Sequence, residues 1–341
     1  MSPKESDPVL VELVRGEMVE SRHRGACAVV DAVGRIVLAC GDPEQSVYAR
    51  SAIKPLQALP LIETGAADRF GLGAREIALA CASHRGEPMH VAAVTAWLER
   101  IGLGPGDLAC GSHPPLDPAA AQALIRAGAP PSPLHNNCSG KHAGFLATAR
   151  HLGEPTEGYV EADHPVQRRV EAALAAMTGC DLANAPRGID GCGIPVIGLP
   201  LAAIARAMAR LADPRGLGAE RQAAARQILD AMATEPLMVA GSGSFTSRVL
   251  ELAGAAVRLK PGAEGVFCAA LPGLGLGVAL KIADGAARAA EVAMGALLRR
   301  LGAIDETQAA ALAPLLRPRA LNAAGRVVGE LRPVPMLTDA S

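Results

Sequence analysis

The sequence predicts an α+β fold in which strands from both chain ends enclose a run of helices. Apolar and polar residues alternate with period two over residues 8–41, and strand-like runs return only from residue 254 onward. Between these ends the apolar period is helical. Strands and helices are therefore segregated along the chain and do not form a βαβ series. No low-complexity tract, clear linker or repeat of 20–50 residues is present. A single integrated unit over residues 1–341 is expected, with an ordered core of about 8–335.

Taken in order, VLVELVRG and ACAVVDAVGRIVLACG read as antiparallel strands, with a turn at Asp31-Ala32-Val33-Gly34. From Ser51 the period becomes helical through LQALPLIETGA. Helices follow at PMHVAAVTAWLERIG, DPAAAQALIRAG, SGKHAGFLATARHLG, HPVQRRVEAALAAMTG, PLAAIARAMARLAD and AERQAAARQILDAMA. Strand character returns at GAAVRLK, GVFCAALP and VALKIADG. An Ala-rich helix, AARAAEVAMGALLRRLG, and a strand at AGRVVGELRP complete the pattern.

Half of the residues are hydrophobic but only 2% are aromatic, so the core must be built from Ala, Leu, Val and Ile. A net charge of -1 gives no electrostatic reason to expect nucleic acid or an anionic membrane. A small polar substrate or a protein partner fits better. MSPKESDPVLVELVRG lacks the basic flank and apolar run of a signal peptide. The longest uncharged stretches, such as GCGIPVIGLPLAAIA, fall short of a membrane span. A soluble, cytoplasmic protein is expected. Its 8 cysteines are scattered, which favours free thiols or a metal site over a disulfide framework.

Lysine is scarce, 5 residues against 28 arginines, so each lysine needs an explanation. Ser51-Ala-Ile-Lys54 places a serine and an amine at i and i+3, where both lie on one helix face. A random Ser-x-x-Lys is expected roughly 0.2 times in a chain of this composition. A desolvated lysine can take a serine proton, which an arginine cannot. The plain alternative is a capped helix start with a solvated lysine. Two more segments shift the balance. Ser83-His84 follows the apolar run EIALACA, and Lys260-Pro261-Gly262 ends a strand. Their order matches the layout of serine β-lactamases and penicillin-binding proteins. Ser-His-Arg and Lys-Pro-Gly depart from the usual second and third motifs, which argues against an ordinary β-lactam substrate.

HNNCSGKHAGF, residues 135–145, reads as a loop entering a helix, but it is not a phosphate-binding loop. Cys138, Asp190 and Cys192 are ligand types that zinc accepts, although no Cys-x-x-Cys pair exists. Two buried thiols near a glycine turn remain the alternative.

Together, Ser51-Ala-Ile-Lys54-Pro55, Cys81-Ala-Ser83-His84, Asn137-Cys138-Ser139-Gly140-Lys141-His142, Asp190-Gly191-Cys192-Gly193 and Lys260-x-Gly-Ala-Glu-Gly265 resemble the asparaginase II family of rhizobial-type L-asparaginases. The resemblance implies hydrolysis of L-asparagine to L-aspartate and ammonia, a serine β-lactamase-like fold and a homodimer. It also implies two Ser–Lys tandems, Ser51 with Lys54 and Ser83 with Lys260. Cys138, Lys141 and Cys192 match the family's Zn2+ ligands. Arg50, His84, Asn137, His142 and Asp190 stand as substrate-binding candidates, with Asp190 suited to the ammonium. Two alternatives stay open: a penicillin-recognising serine amidase or peptidase, and a ligand- or metal-binding relative without turnover.

Overall fold

The alternating residues near the N-terminus fold into three antiparallel strands, Val9–Arg15, Met18–Asp31 and Ile36–Cys40. The architecture is that of a computed structural model, which describes residues 7–338. Residues 1–6, part of the N-terminal stretch read above for a targeting signal, and 339–341 lie outside the described residues. The expected turn forms at Asp31–Gly34, where the Asp31 carboxylate accepts from the backbone N–H groups of Val33, Gly34 and Arg35.

The chain groups into two compact units. The first takes the chain up to Ala52, then Leu199–Asp213, then everything from Arg248 onward. It contains an 8-stranded antiparallel sheet whose order is Arg319–Leu321, Val327–Pro333, Val9–Arg15, Met18–Asp31, Leu276–Ile282, Val266–Leu271 and Arg258–Pro261. Ile36–Cys40 pairs separately with Met18–Asp31. Both chain ends thus supply one sheet, as expected of an α+β fold. All six residues of Val266–Leu271 are buried, so this strand is covered on both faces. Helix Leu201–Ala212 packs on the strands Met18–Asp31, Leu276–Ile282 and Val266–Leu271. A Cβ on Gly277 would fall 2.0 Å from the Ala205 carbonyl oxygen, so only glycine allows this approach.

The second unit, Ile53–Gly198 with Pro214–Ser247, is mostly helical. Helix Ala74–Ala80 is central, touching Pro88–Arg100, Ser139–Leu152, Ala219–Thr234 and Pro236–Ala240. It was read in the sequence only as an apolar run, because it is shorter than the window that reveals a period. Ser139–Leu152 is buried from Ser139 through Ala149. Small residues make that possible: a Cβ on Gly140 would lie 2.4 Å from the Leu79 carbonyl oxygen. The expected continuous helix after Ser51 is instead three pieces, Arg50–Ile53, Lys54–Gln57 and Leu59–Glu63. Pro55 and Pro60 each sit in the first turn of a new piece, since neither can donate to the turn before it. Among the described residues, no helix is long and apolar enough to cross a membrane.

Candidate active site and thiol cluster

Within the helical unit, Lys54 is fully buried. Its ammonium donates to the Ala82 carbonyl, to Ser83 Oγ at 3.1 Å and to the Asn137 carbonyl at 3.4 Å. The geometry brings Lys54 to Ser83, a serine 29 positions away, whereas the spacing pairs it with Ser51. Ser83 follows the helix Ala74–Ala80, and its N–H is tied to the Val239 carbonyl. That bond fixes the loop from which the hydroxyl emerges. An Nζ at 3.1 Å from a hydroxyl oxygen is a contact along which a proton can move.

In the sheet unit, Ser51 lies in the turn Arg50–Ile53, and Arg50 takes a left-handed φ of 51°. A non-glycine residue held there stores strain, and such residues cluster at functional sites. Lys260 is fully buried on the strand Arg258–Pro261, with Nζ donating to the Pro261 carbonyl at 2.7 Å. Gly262 brings the end of this strand against the turn that carries Ser51. A Cβ there would meet the Ala49 carbonyl oxygen at 2.7 Å and the Ala52 methyl at 3.2 Å.

The 135–145 segment is a loop entering a helix, as read. Asn136, which the sequence reading passed over, organises the entry. Its Oδ1 accepts from the Cys138 N–H at 2.8 Å, and its Nδ2 donates to the Cys110 carbonyl at 2.8 Å. The signal was an Asn just before a helix start. Asn137 Oδ1 accepts from Cys138 Sγ at 3.3 Å. Asp190 and Cys192 lie on a tight turn closed by Gly193 (φ 91°), in the hairpin formed by Arg187–Ile189 and Pro195–Pro200.

This turn delivers Cys192 to Lys141, whose Nζ is 3.0 Å from Cys192 Sγ, while Cys192 Sγ lies 3.5 Å from Asp190 Oδ2. The Cys138 and Cys192 thiols also hydrogen-bond each other. That bond, helped by the Lys54 and Lys141 ammonium groups, pulls Cys138 well below the usual thiol range against the effect of burial. The same bond and burial push Cys192 up. Burial works to lower the Lys141 pKa, but Cys138, Cys192 and Asp190 raise it overall. Cys138, Lys141 and Cys192 are all buried. Among the described residues, no three His, Cys, Asp or Glu side chains group as a metal site; here the third donor is a lysine.

Two histidines flank the cluster, and they differ. His84 is fully buried. Its Nδ1 accepts from the Gly86 N–H at 3.1 Å, so Nε2 carries the hydrogen and donates to Ser139 Oγ at 2.8 Å. It also stacks on His90 at 4.8 Å. Burial, then the neighbouring His90 and Lys54, hold it well below the usual imidazole range. With both nitrogens engaged by protein, His84 braces the loop after Ser83. His142 is held low by burial and by Lys141 and Lys54. Its Nδ1 lies 2.7 Å from the Tyr159 hydroxyl, and its buried Nε2 has no partner among the described residues. Tyr159 also escaped the sequence reading, although one of only 2 tyrosines in the chain was a signal in itself.

Compared with known sequences, a family described as L-asparaginase II matches residues 11–333. No curated protein matches. Among solved structures, the chain is similar to a β-lactamase from Mycobacterium bovis (15% identity, 86% of this chain and 95% of that one, TM-score 0.35). It is also similar to simvastatin synthase from Aspergillus terreus (14% identity, 76% and 86%, TM-score 0.36).

Proposed function

The chain belongs to the L-asparaginase II family, and from that premise we propose that it is an L-asparagine amidohydrolase, releasing L-aspartate and ammonia. The reading is carried by one observation: a fully buried Lys54 whose amine meets Ser83 Oγ at 3.1 Å and the Asn137 backbone beside the thiol cluster. Amide hydrolysis needs a nucleophile, a group that takes its proton and donors for the developing oxyanion. Ser51 is the proposed nucleophile. Lys54 is its proton acceptor, and the Ser83–Lys260 tandem activates water or protonates the departing ammonia. The contact of Lys54 with Ser83 supports a role for this lysine beside the second serine as well. Arg50 and Asn137 are proposed to contact substrate, and Asp190 suits its ammonium. A cytoplasmic homodimer belongs to the same proposal.

Zinc does too. Cys138, Lys141 and Cys192 would hold it, and their chemistry fits: two buried sulfurs neighbour each other, Cys138 is held below the usual thiol range, and an amine lies 3.0 Å from Cys192 Sγ. A divalent cation takes such a donor set by displacing its protons. When bound, it would supply positive charge that polarises a substrate oxygen.

The test is ammonia release from L-asparagine by the purified protein, with L-glutamine alongside and Ser51→Ala as control. Turnover on asparagine that disappears in Ser51→Ala supports the assignment. Full activity in Ser51→Ala removes it as nucleophile, and absent turnover with stable labelling by a penicillin would replace the substrate class.

A further inference from the structure

We propose that Tyr159 is a positioning residue that fixes His142 in its Nε2–H tautomer, so that His142 offers a hydrogen-bond donor to an oxygen of the bound amino-acid substrate. The inference rests on the asparaginase reading for the identity of the substrate, and on hydrogen-bond geometry for the tautomer.

A tyrosine hydroxyl has one hydrogen to give. Tyr159 is buried, and its oxygen accepts from the Ala109 N–H at 2.8 Å. An N–H cannot accept, so the phenolic hydrogen needs another destination. The only acceptor that the described residues place near it is His142 Nδ1, at 2.7 Å. The reverse arrangement, Nδ1–H donating to the phenol, would leave the tyrosine hydrogen buried without an acceptor, which is costly. Tyr159 therefore donates, and a ring whose Nδ1 accepts carries its hydrogen on Nε2. The phenol stays protonated, because burial raises its pKa. Tyr159 also holds the ring plane, meeting it edge-on at 5.5 Å and 77°, while Phe145 packs against it at 5.9 Å.

Nε2 is the one polar atom of this arrangement with no partner among the described residues, and it is buried. A buried N–H with nothing to bond is a donor reserved for something the protein binds. An N–H cannot receive an ammonium or take a proton. His142 therefore faces a carboxylate or carboxamide oxygen of asparagine, and neither its ammonium nor the proton of a nucleophile.

The experiment uses the full chain carrying 15N-labelled histidine, read by long-range 1H–15N correlation. His142→Gln assigns the signal by its loss. The unmodified protein is expected to show His142 with its hydrogen on Nε2. L-Aspartate, the product, is expected to shift that Nε2–H. Tyr159→Phe keeps the ring packing and removes the hydroxyl; it is expected to give a mixture of tautomers and a KM for asparagine raised roughly 3- to 10-fold, the worth of one hydrogen bond. His142 protonated on Nδ1 would overturn the assignment. So would a Tyr159→Phe protein with an unchanged His142 signal and unchanged KM. If the Nε2–H tautomer is present but asparagine is neither bound nor hydrolysed, the asparaginase reading fails while the role of Tyr159 stands on its spectrum.

Discussion

Lys54 shows how differently one residue reads along the chain and in space. Its spacing from Ser51 is visible in four letters, but its contact with Ser83 joins positions 29 residues apart, and no period encodes that. Lys54→Met keeps much of the side-chain volume and removes the amine. The kcat for asparagine is expected to fall by at least ~100-fold, the usual scale for losing a general base, with the circular dichroism unchanged. Restored activity in Lys54→Arg would discard the proton-accepting role, since a guanidinium holds its proton. His84 makes the complementary point. Its motif was legible and its contact with Gly86 is local, but its bracing contact with Ser139 depends on a helix start 55 residues later.

Among the elements, helix Ser139–Leu152 was legible from its period and its closing Gly153, which adopts φ 68°. The unbroken burial of Ser139 through Ala149 was not, because a lysine and a histidine within that run suggest an exposed face. Gly140 is where the packing is tightest. Gly140→Ala is expected to cost about 1–3 kcal/mol, the scale of overpacking in a dense core, measurable as a lower denaturant midpoint. A wild-type midpoint would show that the Leu79 backbone yields. Helix Ala287–Arg300 carries a second test. Burial raises the Glu291 pKa, so its ionisation opposes folding. Any stability it contributes is complete below the unfolded carboxylate pKa and is lost as pH rises through the folded one. Glu291→Gln should therefore raise the melting temperature near neutrality, with the gain shrinking toward acid pH. A gain that is the same at acid and neutral pH would point to packing and not to charge.

For the molecule as a whole, zinc and the two units are the testable matters. Added zinc is expected to raise the melting temperature of the unmodified protein, by an amount corresponding to about 2.7 kcal/mol at one hundred times the dissociation constant. Cys138→Ser and Cys192→Ser should each abolish most of that rise. An equal rise in both variants would place the metal elsewhere. The sequence predicts a single integrated unit, and within it contacts group the chain into two compact units whose boundaries fall at Ala52, Gly198, Asp213 and Ser247. A unit built from separated stretches leaves no linker composition to read. Local chemistry along the chain determined the α+β class, the strands at both ends, most helices and the five motifs, since periodicity, caps and reactive residue types act within a few positions. Only the tertiary structure decided that Lys54 meets Ser83, that Cys138 and Cys192 come together beside Lys141, and that Tyr159 orients His142. Those contacts join residues from separate turns and helices, and hydrogen bonds and burial between distant positions leave no local pattern.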